Sequence, residues 1–265
     1  MDRLLVLRLE SAGCVAEAVL NGMPLARTGP AQNVALLPVH EYTLAGANEL
    51  ELVVEPGAPG AAAVAPEPQL SEGQAWASVR LLLPRVGGVA HPASARTLAQ
   101  IDWGPPADEV YETPLALRTR VELPIAFPRW RWLDAPVVGE TPTLRQELAA
   151  YLLPVALGLA RGNPEPFIQA TRLRLEDLAS AYQRNLADEV GRLRVHLQSL
   201  HAEQALKPVL PSAAKLLLRP VAGGRLVECL AGDGTPFLQT ELGGGARVAW
   251  PLRVAMVEGK FYVLR

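Results

Sequence analysis

The feature that most constrains this chain is a change of period. From Leu175 onward apolar residues recur at Leu178, Tyr182, Leu186, Val190, Leu193, Leu197 and Leu200. Steps of three and four place them on one face of a helix, with Arg172, Glu176, Arg184, Asp188, Glu189 and Arg192 on the other. Before about residue 135 and after Pro211 the apolar residues alternate instead, as strands require. A chain patterned in this way predicts strands, then helices, then strands again.

In the first part, Leu4 to Glu10 alternates, and Ala16 to Leu20 runs into Asn21-Gly22, the pair suited to a type I′ hairpin because both positions need positive φ. Met23 to Arg27 returns. Asn33 to Val39 and Glu49 to Glu55 follow. Pro56 to Pro68 is rich in Pro, Gly and Ala and reads as a loop without regular structure. Strands resume at Trp76 to Pro84, at Arg96 to Trp103 and within Val110 to Trp132, where Pro114, Pro124 and Pro128 mark ends or bends. The expectation is an all-β antiparallel sandwich over residues 1–135.

Residues 136–142 read as a linker. Thr143-Leu144-Arg145-Gln146 fits a capping box, and Leu144, Leu148, Leu152, Val155 and Leu159 share a helical face that Pro154 should kink. Asn163-Pro164 opens the next helix. A helix from there to Leu200 would exceed about 50 Å at ~1.5 Å per residue, so a break is expected near Asn185 or Gly191. Lys215 to Val221, Arg225 to Leu230, Pro236 to Leu242, Arg247 to Val257 and Phe261 to Arg265 read as an antiparallel meander. The second expected domain, 143–265, is therefore α+β, with helices packed on an antiparallel sheet.

Composition narrows the function classes. The chain has 265 residues, 49% of them hydrophobic, and a net charge of −2. That balance supplies no field for nucleic acid. Lysines are confined to Lys207, Lys215 and Lys260, and the abundance of Arg, Ala, Leu and Pro suggests a GC-rich bacterial source. Ser11-Ala12-Gly13-Cys14 has the look of a lipoprotein cleavage site, but Arg8 and Glu10 interrupt the preceding apolar run. No run is long enough to span a membrane. A cytoplasmic location is expected.

No G-x-S-x-G, P-loop or dinucleotide fingerprint occurs. Cys14 and Cys229 have no metal spacing and read as two buried free thiols. His196 and His201 are about 140° apart on their helix, too far round for one metal; with His40 and His91 they read as solvated or rim histidines. Gly243-Gly244-Gly245 sits between strands and reads as a hairpin turn. Asp108, Glu109 and Glu112 lie beside Pro105-Pro106 and read as a solvated loop. No cofactor and no metal site is expected, and no residue is assigned as catalytic.

The densest aromatic region holds Trp103, Tyr111 and the segment Phe127-Pro128-Arg129-Trp130-Arg131-Trp132. In an extended chain Arg129 and Arg131 face one way and Trp130 and Trp132 the other. Those six residues, Trp103, Tyr111, Arg129, Trp130, Arg131 and Trp132, are the candidate binding set, with tryptophans stacking and arginines pairing with carboxylates. The competing expectation is that the tryptophans close a core or join the two domains.

Residues 14 to 56, with LNGMPL followed by HEYTLAGANELELVV, resemble the galactose-binding-like jelly-roll sandwiches that accompany many glycosidases. That resemblance implies a module that binds sugar or braces another domain. The C-terminal half, helices and then a curved meander ending EGKFYVLR, is similar to cystatin-like and nuclear transport factor two-like folds, with the difference that no strand interrupts the helices. It implies a pocket between helix and sheet. The function expected is non-catalytic binding to a protein partner, as an accessory, adaptor or immunity-type protein. The alternative is a carbohydrate or small apolar ligand, held by the sandwich aromatics or in that C-terminal pocket.

Overall fold

The computed structural model describes residues 4–56, 75–85, 87–104, 114–123, 127–204, 206–241 and 247–265. The Pro- and Gly-rich loop after Pro56, the carboxylates Asp108, Glu109 and Glu112, Tyr111 and Gly243-Gly244-Gly245 lie outside the described residues. The chain separates into two compact units, Met1–Pro128 and Arg129–Arg265. Its described residues form four antiparallel sheets, with four α-helices in the C-terminal half. None of those helices is long and apolar enough to cross a membrane.

The first unit contains β1 (Val6–Ala12), β2 (Cys14–Leu20), β3 (Met23–Thr28), β4 (Val34–Pro38), β5 (Gly46–Pro56), β6 (Trp76–Leu83), β7 (Arg96–Trp103) and β8 (Leu115–Leu123). One sheet runs β4-β1-β6-β7 and the other β3-β2-β5-β8. Alternation has the consequence that the sequence predicts. Leu5, Leu7, Leu9, Leu50, Leu52 and Val54 are fully buried, each contributing roughly 1.5–3 kcal/mol of hydrophobic stabilisation. Asn21 and Gly22 take φ of 53° and 74°, and Leu20 pairs with Met23 across the turn.

The lipoprotein-like Ser11-Ala12-Gly13-Cys14 is the corner where the chain leaves one sheet for the other. Gly13 adopts φ +67°, and a Cβ there would lie 3.1 Å from Ala75 Cα. Cys14 is buried, and its thiol donates to the Trp76 carbonyl at 3.2 Å.

HEYTLAGANEL folds around one side chain. Asn48 Oδ1 accepts from Leu44 N at 2.7 Å and from Asn21 Nδ2 at 2.8 Å. Its Nδ2 donates to the Leu44 and Gly46 carbonyls, both at 2.9 Å. A short 3₁₀ turn, His40–Tyr42, precedes it. His40 is buried rather than solvated: Nε2 accepts from Leu5 N at 2.6 Å, and the ring meets Phe127 edge-on.

The second unit opens with a 3₁₀ turn, Arg131–Asp134, followed by α1 (Pro142–Ala160), α2 (Glu165–Ala170), α3 (Arg172–Ala181) and α4 (Leu186–Gln204). Thr141, not Thr143, caps α1, its hydroxyl accepting from Leu144 N at 3.0 Å. The helix continues through Pro154. Pro154 lies on the exposed side, as does Ala150, whose carbonyl it cannot bond. The long amphipathic run breaks twice. At Thr171 the side-chain hydroxyl bonds back to the Phe167 carbonyl at 2.8 Å. At 182–185 Gln183 turns to φ 52° and Asn185 Oδ1 accepts from Ala187 N at 2.8 Å. Gly191 stays helical.

The residues expected to link the two parts are bonded into this unit. Val138 N donates to the Gly224 carbonyl at 2.9 Å, and Arg225 Nη1 to the Ala135 carbonyl at 2.7 Å.

The final strands are β9 (Lys207–Pro208), β10 (Leu217–Val221), β11 (Leu226–Leu230), β12 (Leu238–Glu241), β13 (Arg247–Trp250), β14 (Arg253–Val257) and β15 (Lys260–Val263). They do not form the single meander that the sequence suggests. β10-β11-β14-β15 make one sheet and β13-β12-β9 another. The cause is Pro251. It lacks the N–H that a continuous strand from 247 to 257 needs, so the run splits and each half joins a different sheet. Leu148, Leu152, Val155 and Leu159 of α1 share one core with Phe167, Leu197, Val227, Leu238, Leu252 and Val254.

Candidate functional site

The aromatic segment straddles the boundary, with Phe127 and Pro128 in the first unit and Arg129 to Trp132 in the second, and it is not extended throughout. The chain reverses in the Arg131–Asp134 turn, so the two-faced ribbon expected from alternation does not form. Trp130 and Trp132 are 1% and 3% exposed, and Trp103, in the first unit, is buried too. The Arg265 guanidinium lies 5.5 Å from the Trp130 ring centre. Arg131 donates to Glu176 Oε2 at 2.5 Å, to Asp177 Oδ1 at 3.0 Å and to the Leu173 carbonyl at 3.2 Å. Arg129 stays at the surface in a forked pair with Asp134, and those hydrogen bonds hold the Asp134 carboxyl below its usual range.

A concavity of the second unit lies elsewhere. A pocket of about 490 Å³ opens among α2, α3, α4 and the Trp250-Pro251 corner. Its walls are Phe167, Leu175, Leu178, Leu193, Trp250 and Pro251. Both helix breaks create it. Thr171 turns α3 away from α2, and the Gln183–Asn185 corner brings α4 back along α3. Pro251 ends β13 so that Trp250 stands at the mouth, its ring meeting Phe167 edge-to-face at 5.5 Å. The Trp250 indole N–H is buried and has no hydrogen-bond partner among the described residues.

Three arginines, Arg174, Arg184 and Arg192, line the pocket with one carboxylate, Glu189, and His196 lies beside them. Glu189 pairs with Arg192 and lies 3.6 Å from Arg184, which also stacks on Tyr182 at 5.0 Å. Arg174 is half-buried, and no carboxylate among the described residues pairs with it. The pocket therefore combines apolar walls with a guanidinium, that of Arg174, that no carboxylate among the described residues answers. It has the size and composition of a small-molecule site.

Other reactive groups are placed for structure. Burial pushes the Cys229 thiol up to about 12, with Glu228 adding to the shift, and the Cys14 thiol up to about 11. Neither offers a thiolate near neutral pH. His196 lines the pocket, whereas His201 packs on Gly162, where a Cβ would come within 2.6 Å of its ring. His91 accepts from Ala93 N within its own loop. Among the described residues no group of three or more His, Cys, Asp or Glu side chains is placed to hold a metal ion.

The sequence shows the helical face, and its resemblance implies a helix–sheet pocket, but neither names the residues that line this one. Trp250 lies far along the chain from Phe167 and Arg174, and only the Trp250-Pro251 interruption of an apolar strand signals that something is displaced there. No protein-family model, curated protein or solved structure matches the chain.

Proposed function

We propose that this protein works by binding rather than by catalysis, and that the α2–α4 pocket is the binding site for a small organic ligand. One observation carries the reading: a concavity of about 490 Å³ with apolar walls and one guanidinium in its lining, that of Arg174, with no carboxylate partner among the described residues. The two compact units are read as two domains, an N-terminal β-sandwich and a C-terminal α+β domain that carries the site. Filling the pocket tests this. In a thermal-shift screen of small molecules, at least one compound should raise the melting temperature of the native chain and leave that of Leu178→Trp unchanged. A screen in which every stabilising compound acts equally on both proteins would contradict it.

A second reading, binding to a protein partner, is favoured by the outer face of α4. Ala187, Gly191 and Val195 line a shallow depression there. Val195 is 62% exposed, and a side chain on Gly191 would meet open space. In this reading the surface-exposed Arg129 is the contribution of the Phe127–Trp132 segment.

A further inference from the structure

We propose that the ligand of the α2–α4 pocket is an amphipathic monoanion: an apolar chain or ring ending in a carboxylate, with Arg174 taking the carboxylate. This rests on the small-ligand reading above and adds the charge and polarity of the ligand to it.

Three arginines and one glutamate surround the opening. Glu189 is engaged by Arg192 and Arg184, so its charge is answered within the protein. Arg174 is the cation left over. A guanidinium without a carboxylate partner gains most from a planar, two-oxygen acceptor, which a carboxylate provides in fork-to-fork geometry. A cationic ligand would meet net positive charge at the rim. A neutral one would cover Arg174 without answering its charge, which costs free energy.

The walls set the rest of the molecule. Phe167, Leu175, Leu178 and Leu193 offer hydrocarbon, and Trp250 adds an aromatic ring. A polyanion such as a nucleotide would need several free donors, whereas Arg184 and Arg192 are already engaged by Glu189. One guanidinium without a carboxylate partner, beside apolar walls, matches one carboxylate on an apolar body.

Titration calorimetry with octanoate and 1-octanol, at low ionic strength, separates the two layers of the proposal. The native protein should bind octanoate saturably, at one site and at least tenfold more tightly than 1-octanol. The preference should shrink as salt is added. In Arg174→Gln the octanoate affinity should fall to that of 1-octanol, with 1-octanol binding unchanged. Saturable binding of both ligands with equal affinity would overturn the anion assignment and leave the pocket reading standing. Saturation with neither would overturn both. The comparison of the two ligands on the native chain needs no variant, so it decides the matter even where Arg174→Gln is poorly folded.

Discussion

Arg265 Nη1 donates to Asp177 Oδ2 at 2.9 Å, with the arginine side chain fully buried and the aspartate nearly so. Asp177 Oδ1 is taken by Arg131 at 3.0 Å. One carboxylate on α3 thus holds both the end of the last strand and the turn that carries Trp132. Removing one member of a buried ion pair leaves an uncompensated charge. Asp177→Ala should lower the unfolding free energy by about 3–5 kcal/mol in urea denaturation. A loss below about 1 kcal/mol would show that the network is solvated.

The α1–α2 corner requires two glycines. A Cβ on Gly158 would lie 2.9 Å from the Asn163 carbonyl oxygen and from Pro166 Cγ. Gly162 adopts φ +69° against the His201 ring. Gly158→Ala and Gly162→Ala should each cost about 1–3 kcal/mol through overpacking and, at Gly162, backbone strain. Thermal unfolding of the single variants measures this, and unchanged melting in both would mean that the helices do not approach so closely.

In the first unit the equivalent sensitivity is at Asn48. Asn48→Ala would strip partners from Leu44 N and Asn21 Nδ2 and from two carbonyls. A cost of about 2–3 kcal/mol follows from leaving such groups unmatched. Asn48→Asp would keep the acceptor but set a carboxylate oxygen against the Leu44 and Gly46 carbonyls, and should cost at least as much at neutral pH.

Cys229 gives a pH dependence of definite sign. Its folded value lies near 12 against 9.0 for a free thiol, so the native state favours the protonated form. The resulting stabilisation is fully present below pH 9 and is lost as pH rises from about 9 towards 12. The stability difference between the native chain and Cys229→Ala should shrink over that range in urea titrations. At pH 8 iodoacetamide should label Cys229 only after unfolding. Rapid labelling of the folded protein would refute the burial argument.

The fold was legible where a residue type has one local meaning. Asn21-Gly22 predicts a hairpin, and a hairpin forms. Leu50, Leu52 and Val54 predict a buried strand face, and that face is buried. The break near Asn185 follows from its capping chemistry. Other features depend on partners distant in sequence. The FPRWRW alternation presumes an extended chain, but burial of Trp132 and the pull of Asp177 on Arg131 favour a turn. Pro251 signalled an interruption without saying that the flanking strands would enter different sheets. The pocket was the least legible of all. Arg174 is unusual only because no carboxylate among the described residues pairs with it, and absence of a partner is not written in any local pattern.

The most direct test of the binding reading is the Trp250 indole N–H. In ¹⁵N-labelled protein its resonance can be assigned by its loss in Trp250→Phe. On titration with octanoate the account predicts a saturable shift of that resonance, accompanied by the backbone amides of Leu175, Leu178 and Leu193. A Trp250 resonance that stays in place at saturating octanoate, or shifts scattered over both units, would contradict it.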